Sequence, residues 1–361
     1  MTPSTNAAPR RRRRVGVLGA TGTVGQEFVR LLADHPWFEL VAVAASERSA
    51  GKPYAEAVRW LGESALPSSI ASKTVVACDP AAVDAEIVFS SLDSSVAGEV
   101  EGAFAKAGRL VLTNAKNYRM EPDVPLVIAE VNPGHLRLLD VQRKKRGWKG
   151  GIVTNGNCSS IVASLALAPI HERFGIDRVF IATMQAISGA GYPGVPSLDI
   201  LGNAIPFIKD EEDKIETELC KFLGTMDGDH VRFAPIVASA HANRVPVDRG
   251  HTICLSVELH TKADPDAVRR ALEEWRGADA AHGLPTAPER ALVVTGESDR
   301  PQPRRDVKRG GGMTVTVGRI RPDPLFDVRL VAMGDNVIRG AAGASVLNAE
   351  LMVSCGLVPD T

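Results

Sequence analysis

Cys158 is the residue in this chain best placed for covalent chemistry. It stands in Gly151-Ile-Val-Thr-Asn-Gly-Asn-Cys158-Ser-Ser-Ile-Val, which reads as an apolar strand, a polar turn and a helix that begins at the cysteine. A thiol at a helix N-terminus feels the positive end of the macrodipole, which is expected to draw its pKa from about 8.5 toward neutrality. That makes Cys158 a candidate nucleophile. The other four cysteines, Cys78, Cys220, Cys254 and Cys355, have ordinary surroundings and read as small buried hydrophobes. A thiolate enzyme also needs a proton carrier. Of the eight histidines, His251 has the most suggestive setting, after Gly250 in Arg244-Val-Pro-Val-Asp-Arg-Gly-His251 and at the entry to a strand over 252–259. On the residues alone, a catalytic role and a packing role are equally supported for it.

A second group of residues suits a phosphate. In Gly19-Ala-Thr-Gly22-Thr-Val-Gly25 the glycines fall where a short apolar strand turns into a helix, so backbone N–H groups and the helix dipole face an anion. The spacing is GxxGxxG, where the commoner dinucleotide fingerprint is GxGxxG. After the next strand comes Ser46-Glu47-Arg48-Ser49. A guanidinium flanked by hydroxyls suits a ribose 2′-phosphate and favours NADP, although Glu47 could accept from a ribose hydroxyl instead.

These groups need rigid elements behind them. Strands over 15–18, 38–45, 87–91, 110–112 and 126–128, with helical pattern between them and at 97–106, predict a parallel, doubly wound sheet. The basic, glycine-containing stretch 144–151 reads as a junction. Beyond it, strands over 179–184, 231–236, 252–259, 291–294 and 325–331 predict a mixed α+β sheet, and a helix over 341–354 closes the chain. With 361 residues and a net charge of −1, two domains and a small-molecule partner are expected, and a nucleic-acid or membrane partner is not. Five scattered cysteines predict no disulfide framework, no metal site and a reducing, cytoplasmic setting. The arginine run 10–14 is expected to be a solvated tail.

In this order the pieces resemble the aspartate-semialdehyde dehydrogenases, especially the branch found in archaea and fungi, from about Val15 to the last helix. The resemblance rests on Gly19 to Gly25, Arg48-Ser-Ala-Gly-Lys52, Asn114-Ala-Lys-Asn-Tyr-Arg119, Asn155-Gly-Asn-Cys158, Gln185, Glu211-Glu-Asp-Lys214, the Arg244 to His251 motif, and Asn336 with Gly340-Ala-Ala-Gly343. It implies that Cys158 attacks β-aspartyl phosphate, expels phosphate and forms a thioacyl enzyme that NADPH reduces to aspartate semialdehyde. His251 would be the general acid/base and Gln185 would orient the acyl group. Arg244 would clamp the α-carboxylate and Glu211 the α-ammonium, while Arg119, Lys214 and Asn117 would hold phosphate.

For the cofactor, the implied contacts are Gly19, Thr21, Gly22, Thr23, Val24, Gly25, Ser46, Arg48, Ser49, Ser91, Ser188, Gly189 and Asn336. The implied fold is α/β: a Rossmann-type NADP-binding domain over residues 1–152, with the C-terminal helix 336–361 packed back on it, and an α+β catalytic and dimerisation domain over 153–335. A homodimer or homotetramer feeding lysine (through diaminopimelate), threonine, methionine and isoleucine synthesis would follow. Malonyl-CoA reductase and N-acetylglutamyl-phosphate reductase are alternatives with the same thioester chemistry, and a silent NADP-binding regulator is a non-enzymatic one. Ala129 and Asp93 stand where the resemblance leads one to expect proline.

Overall fold

The computed structural model describes residue 9 and residues 11–358. Six strands form the first sheet: β1 (Arg13–Leu18), β2 (Phe38–Ala45), β3 (Val76–Ala77), β4 (Ile87–Ser90), β5 (Leu110–Thr113) and β6 (Gly151–Thr154). Every pairing is parallel and the order is β3-β2-β1-β4-β5-β6, the doubly wound arrangement. The strands read as nearly continuous apolar runs because both faces are covered. On one face lie α1 (Thr23–Leu32), which buries Phe28, Val29 and Leu32, and the last helix of the chain. On the other lies α2 (Ser94–Lys106), burying Phe104 and Ala105. α3 (Leu138–Arg146) then leads into β6.

The sheet therefore takes Gly151–Thr154 as its sixth strand, so it runs two residues past the expected junction at 152. Residues 126–128 make no strand; Leu126 forms an isolated bridge to Thr154. Arg10 lies outside the described residues, but the rest of the arginine run is no solvated tail. Arg13 begins β1 at 8% exposure and, with Arg11, pairs with Glu86, while Arg14 pairs with Asp84.

A second, mixed sheet is built from β7 (Ile176–Gln185), β10 (Val237–Arg244), β11 (His251–Leu259), β12 (Leu292–Val294), β13 (Val315–Pro322) and β14 (Val328–Gly334), in the order β10-β7-β11-β14-β13-β12. A separate hairpin of β8 (Thr225–Asp227) and β9 (His230–Arg232) takes up the start of the strand expected over 231–236, and the sheet strand begins at Val237 instead. β13 was not anticipated, although Val315-Thr-Val317 alternates apolar and polar residues as a strand does. Period-two alternation sorts β7 into buried Val179, Ile181, Thr183 and Gln185 and an outer row with Phe180 and Met184. The inner face packs on α4 (Cys158–Phe174), α5 (Glu211–Phe222) and α6 (Pro265–Glu274). α4 is buried on every side from Ser159 to Ile170, so its first turn is held rigidly.

The chain ends in α7 (Gly343–Ser354), reached through a single wide turn over Ile338–Ala342. Its Val346, Leu347 and Leu351 enter the core of the first sheet. Arg339 anchors the wide turn at 0% exposure, donating to both oxygens of Glu130 at 2.6 and 3.1 Å and to the Met313 carbonyl at 2.6 Å. Removing one partner of such a pair leaves an uncompensated buried charge. Arg339→Leu is expected to cost about 3–5 kcal/mol, seen as a lower denaturant midpoint at unchanged slope. An unchanged midpoint would show that the pair contributes nothing to holding α7 in place.

Candidate active site

Three strand ends and two helix starts converge on Cys158. In the second sheet Arg244, last in β10, lies beside Gln185, last in β7, in parallel register, and His251 opens β11. Cys158 is the first residue of α4 and Glu211 the first of α5. Asn157 joins the two helices. Its Oδ1 caps α4 by accepting from Ser159 N–H at 2.9 Å and Ser160 N–H at 3.1 Å, while its Nδ2 donates to Glu211 Oε1 at 2.8 Å. Gln185 Nε2 donates to the same oxygen at 3.0 Å. Glu211 is thus no surface residue: it is 6% exposed, with Lys214 Nζ 3.7 Å from its other oxygen.

The Ala186 peptide sets the other side. Its carbonyl accepts from Arg244 Nη1 at 2.7 Å and its N–H donates to His251 Nδ1 at 3.1 Å. An accepting Nδ1 places the ring proton on Nε2, which is buried and has no protein partner among the described residues. Burial, and then the Arg244 charge, push the His251 pKa down to about 3, so the ring is neutral at physiological pH. In this state His251 is a hydrogen-bond donor at Nε2. The general-base half of its expected role would require the ring to turn and lose the Ala186 bond. Gly189 closes the site, since a Cβ there would stand 2.8 Å from Arg244 Nη1 and 3.2 Å from His251 Nε2.

The Cys158 thiol departs from expectation. Its pKa is pushed up to about 12, by burial first and by the Glu211 charge second, against the lowering effects of Arg244, the Ser159 N–H and Arg119. The dipole argument fails because Asn157 already consumes two first-turn N–H groups and desolvation outweighs what is left.

Arg119 is brought to the site at 7% exposure, but its fork is largely occupied: Nη1 donates to Glu218 at 2.8 Å and Nη2 to the Asn114 carbonyl at 2.6 Å. Its Nε–H is left buried and unpaired. Asn117 is not brought in. It lies exposed and donates to the Ser94 carbonyl at 2.9 Å, in space left open by Gly98 in the first turns of α2.

A cleft of about 740 Å³ joins Cys158 to the glycine turn, lined by Thr21, Gly22, Thr23, Val24, Ser91, Ser188, Gly189 and Asn336, with Arg119 among the others. It opens between β1 and β4, where the strand order reverses. The turn has no room for a side chain at Gly19 or Gly25. A Cβ on Gly25 would fall 2.1 Å from the Gly19 carbonyl, and one on Gly19, at φ +75°, 2.9 Å from the Ser91 carbonyl. Asn336 accepts from Gly250 N–H at 2.9 Å and donates to Ser188 Oγ at 3.0 Å, linking the His251 strand to the loop above it. Ser46 and Arg48 are exposed and Ser49 is partly buried, in the turn after β2. Asp93 caps α2 through Ser95 N–H at 2.9 Å, a contact that proline in its place could not make.

Several contributors were not evident from the sequence. Glu218 binds Arg119 and accepts from Asn157 N–H at 2.6 Å, and Gly340 lets the wide turn reach Cys158, since a Cβ there would lie 2.5 Å from the cysteine Cβ. A signal existed for Glu218, a charge seven residues after Glu211 on the buried stripe of an amphipathic helix.

Residues 14–139 match the family described as semialdehyde dehydrogenase, NAD binding domain, and residues 167–339 match semialdehyde dehydrogenase, dimerisation domain. The aspartate-semialdehyde dehydrogenase of Archaeoglobus fulgidus is 52% identical over 339 residues, covering 94% of this chain and 97% of that one. That of Trichophyton rubrum is 47% identical over 357 residues, covering 96% and 99%. The crystal structure of the Candida albicans aspartate-semialdehyde dehydrogenase with NADP superposes with a TM-score of 0.88 at 41% identity, covering 96% of this chain and 100% of that one. Full-length similarity at this level shows that the chain belongs to the aspartate-semialdehyde dehydrogenase family.

Proposed function

We propose that the protein is an NADP-dependent aspartate-semialdehyde dehydrogenase that reduces β-aspartyl phosphate through a thioester on Cys158. The observation that carries this reading is that Cys158, at a capped and buried helix start, opens onto the same cleft as the glycine turn, with Gln185, Arg244 and His251 around it. The β1–α1 turn suits a dinucleotide because Gly19 and Gly25 keep it tight, with its backbone at the start of α1. Ser46, Arg48 and Ser49 stand at the end of the adjacent strand for the 2′-phosphate. NADPH, when bound, supplies the hydride.

Substrate recognition follows from charge. Arg244 keeps donors beyond the one given to Ala186 and takes the α-carboxylate, while buried Glu211 gains from the α-ammonium the counter-charge that two amides cannot supply. Arg119, through its free Nε–H, and Lys214 hold the phosphate; Asn117 supports the Arg119 loop from outside. Sulfur attacks the acyl carbon, the bond to phosphate breaks, and the thiol proton leaves on the phosphate. His251 Nε2–H then faces the negative oxygen of the reduced thioester, and collapse to the aldehyde expels the Cys158 thiolate, which takes up the one proton consumed. The high thiol pKa of the free enzyme falls when an ammonium neutralises Glu211, so the nucleophile is strengthened by the substrate it serves. A reducing, cytoplasmic setting keeps all five thiols unpaired, as they are here. Among the described residues no helix is long and apolar enough to cross a membrane.

A homodimer is the assembly we assign. The outer face of the second sheet presents Phe180 at 37%, Met184 at 39% and Val237 at 65% exposure on the neighbouring strands β7 and β10, an apolar face that a second copy would cover.

Purified protein should oxidise aspartate semialdehyde with NADP and phosphate, and should leave malonyl semialdehyde with CoA and N-acetylglutamate semialdehyde with phosphate essentially untouched. Comparable turnover of either rival would overturn the substrate assignment. Cys158→Ala should abolish that activity while NADP still binds, and substantial residual turnover would remove the thioester. Arg48→Ala should weaken NADP far more than NAD, because only NADP carries the 2′-phosphate; equal losses would reduce Arg48 to a loop-shaping residue. Glu211→Gln should have two opposite effects. The Michaelis constant for aspartate semialdehyde should rise with the lost ammonium partner, whereas alkylation of Cys158 in the free enzyme should speed up at pH 8, since removing that negative charge lowers the thiol pKa. Slower or unchanged alkylation would contradict the electrostatic coupling.

A further inference from the structure

Lys221 lies on α5 with 1% of its surface exposed and makes no contact with the cleft. Burying an ammonium is costly unless it is fully hydrogen-bonded. Here all three protons are used on one short stretch of backbone: Nζ donates to the carbonyls of Arg119 at 2.6 Å, Glu121 at 2.9 Å and Val124 at 2.9 Å. Burial still pulls its pKa down to about 8, against the raising effects of Asp123, Glu121 and Glu218. An apolar side chain in its place would leave the buried Arg119 and Val124 carbonyls without this donor, so the ammonium serves the backbone that it grips.

It grips the residue whose side chain is held one turn earlier on the same helix. Glu218 Oε1 accepts from Arg119 Nη1 at 2.8 Å, and Glu218 Oε2 accepts from the Asn157 N–H next to the nucleophile at 2.6 Å. Residues 211, 214, 218 and 221 fall at helical spacings that bring them along one stripe of α5. From its first turn onward this helix therefore carries the ammonium-binding carboxylate, the phosphate-binding lysine, the clamp on the Arg119 guanidinium and the clamp on the Arg119 backbone.

We infer that Lys221 is a positioning residue for the phosphate step, acting through Arg119 by tying the 119–124 turn to the helix that also holds Glu211. This rests on the reading above that Arg119 holds phosphate. The turn has no regular secondary structure and joins no sheet, so without the ammonium the buried carbonyls of Arg119 and Val124 lose this donor, Glu121 keeps only its bond from Val124 N–H, and Arg119 loses its backbone tie to α5.

A double-mutant cycle on the full-length enzyme, run in the phosphate-dependent oxidation of aspartate semialdehyde, separates the possibilities. Arg119→Ala should raise the Michaelis constant for phosphate, and an unchanged constant would sink the reading of Arg119 itself. With that established, Lys221→Met should raise the same constant by about tenfold, on the scale that misplacement of a positioning group produces, while those for aspartate semialdehyde and NADP stay within about twofold. The double variant should be no worse than Arg119→Ala alone, because both changes act through one guanidinium. Multiplicative losses, an unchanged phosphate constant, or equal rises in all three constants would overturn the positioning role with Arg119 left intact. Should Lys221→Met fail to fold, Lys221→Gln, whose amide keeps two N–H donors, takes its place in the cycle with the same outcomes and a smaller rise.

Discussion

The constraint on which the site depends is the fixed start of α4. A helix buried on every side cannot shift its first turn, and Asn157 fastens that turn through its capping oxygen, its amide to Glu211 and its backbone N–H to Glu218. Each remaining group is placed relative to this point. The helix α5 is set by its two carboxylates, and Gln185 by sharing the Glu211 oxygen. Arg244 and His251 are held by the backbone of a single residue, Ala186, one through its carbonyl and the other through its N–H. Because these side chains sit on strand ends and helix starts, the geometry is inherited from two sheets and depends little on loops.

Electrostatically the free site is held in a resting state. The histidine is kept neutral, the thiol is kept protonated, and the buried Glu211 carboxylate has its one charged partner, Lys214, at 3.7 Å. None of these is a stable end in itself. On the function proposed above, each would be relieved by one part of an amino-acid acyl phosphate: the ammonium at Glu211, the carboxylate at Arg244, and the developing oxyanion at the His251 donor. The penalty of burying unpaired polar groups is thereby converted into selectivity for the molecule that pairs them.

What was legible in the sequence was what is local. The β1–turn–α1 unit, the cysteine at the start of α4 and the Arg244 to His251 segment each declare themselves within a dozen residues through period, punctuation and residue type. The resemblance to a known family then gathered distant residues that no periodicity connects. What stayed hidden depends on who meets whom in space. Arg13 and Arg14 looked like a tail because Glu86 and Asp84 lie some seventy residues on, whereas the break in the strand expected over 231–236 did carry a signal, Pro235, which stands between Arg232 and Val237. The thiol was misjudged for the same reason: the dipole is a local effect, whereas burial and Glu211 arrive with the tertiary fold. Asn117 has the right chemistry for phosphate and the wrong neighbour, the Ser94 carbonyl.

The central claim is that Cys158 carries the acyl group until phosphate removes it, and it can be put to one measurement. The enzyme is mixed with aspartate semialdehyde and NADP in phosphate-free buffer, and NADPH and intact protein mass are followed together. The account predicts one NADPH per active Cys158, a mass gain of one aspartyl group mapping to that residue, and continuous turnover as soon as phosphate is added. Sustained NADPH formation without phosphate, or a burst with no adduct on Cys158, would contradict it.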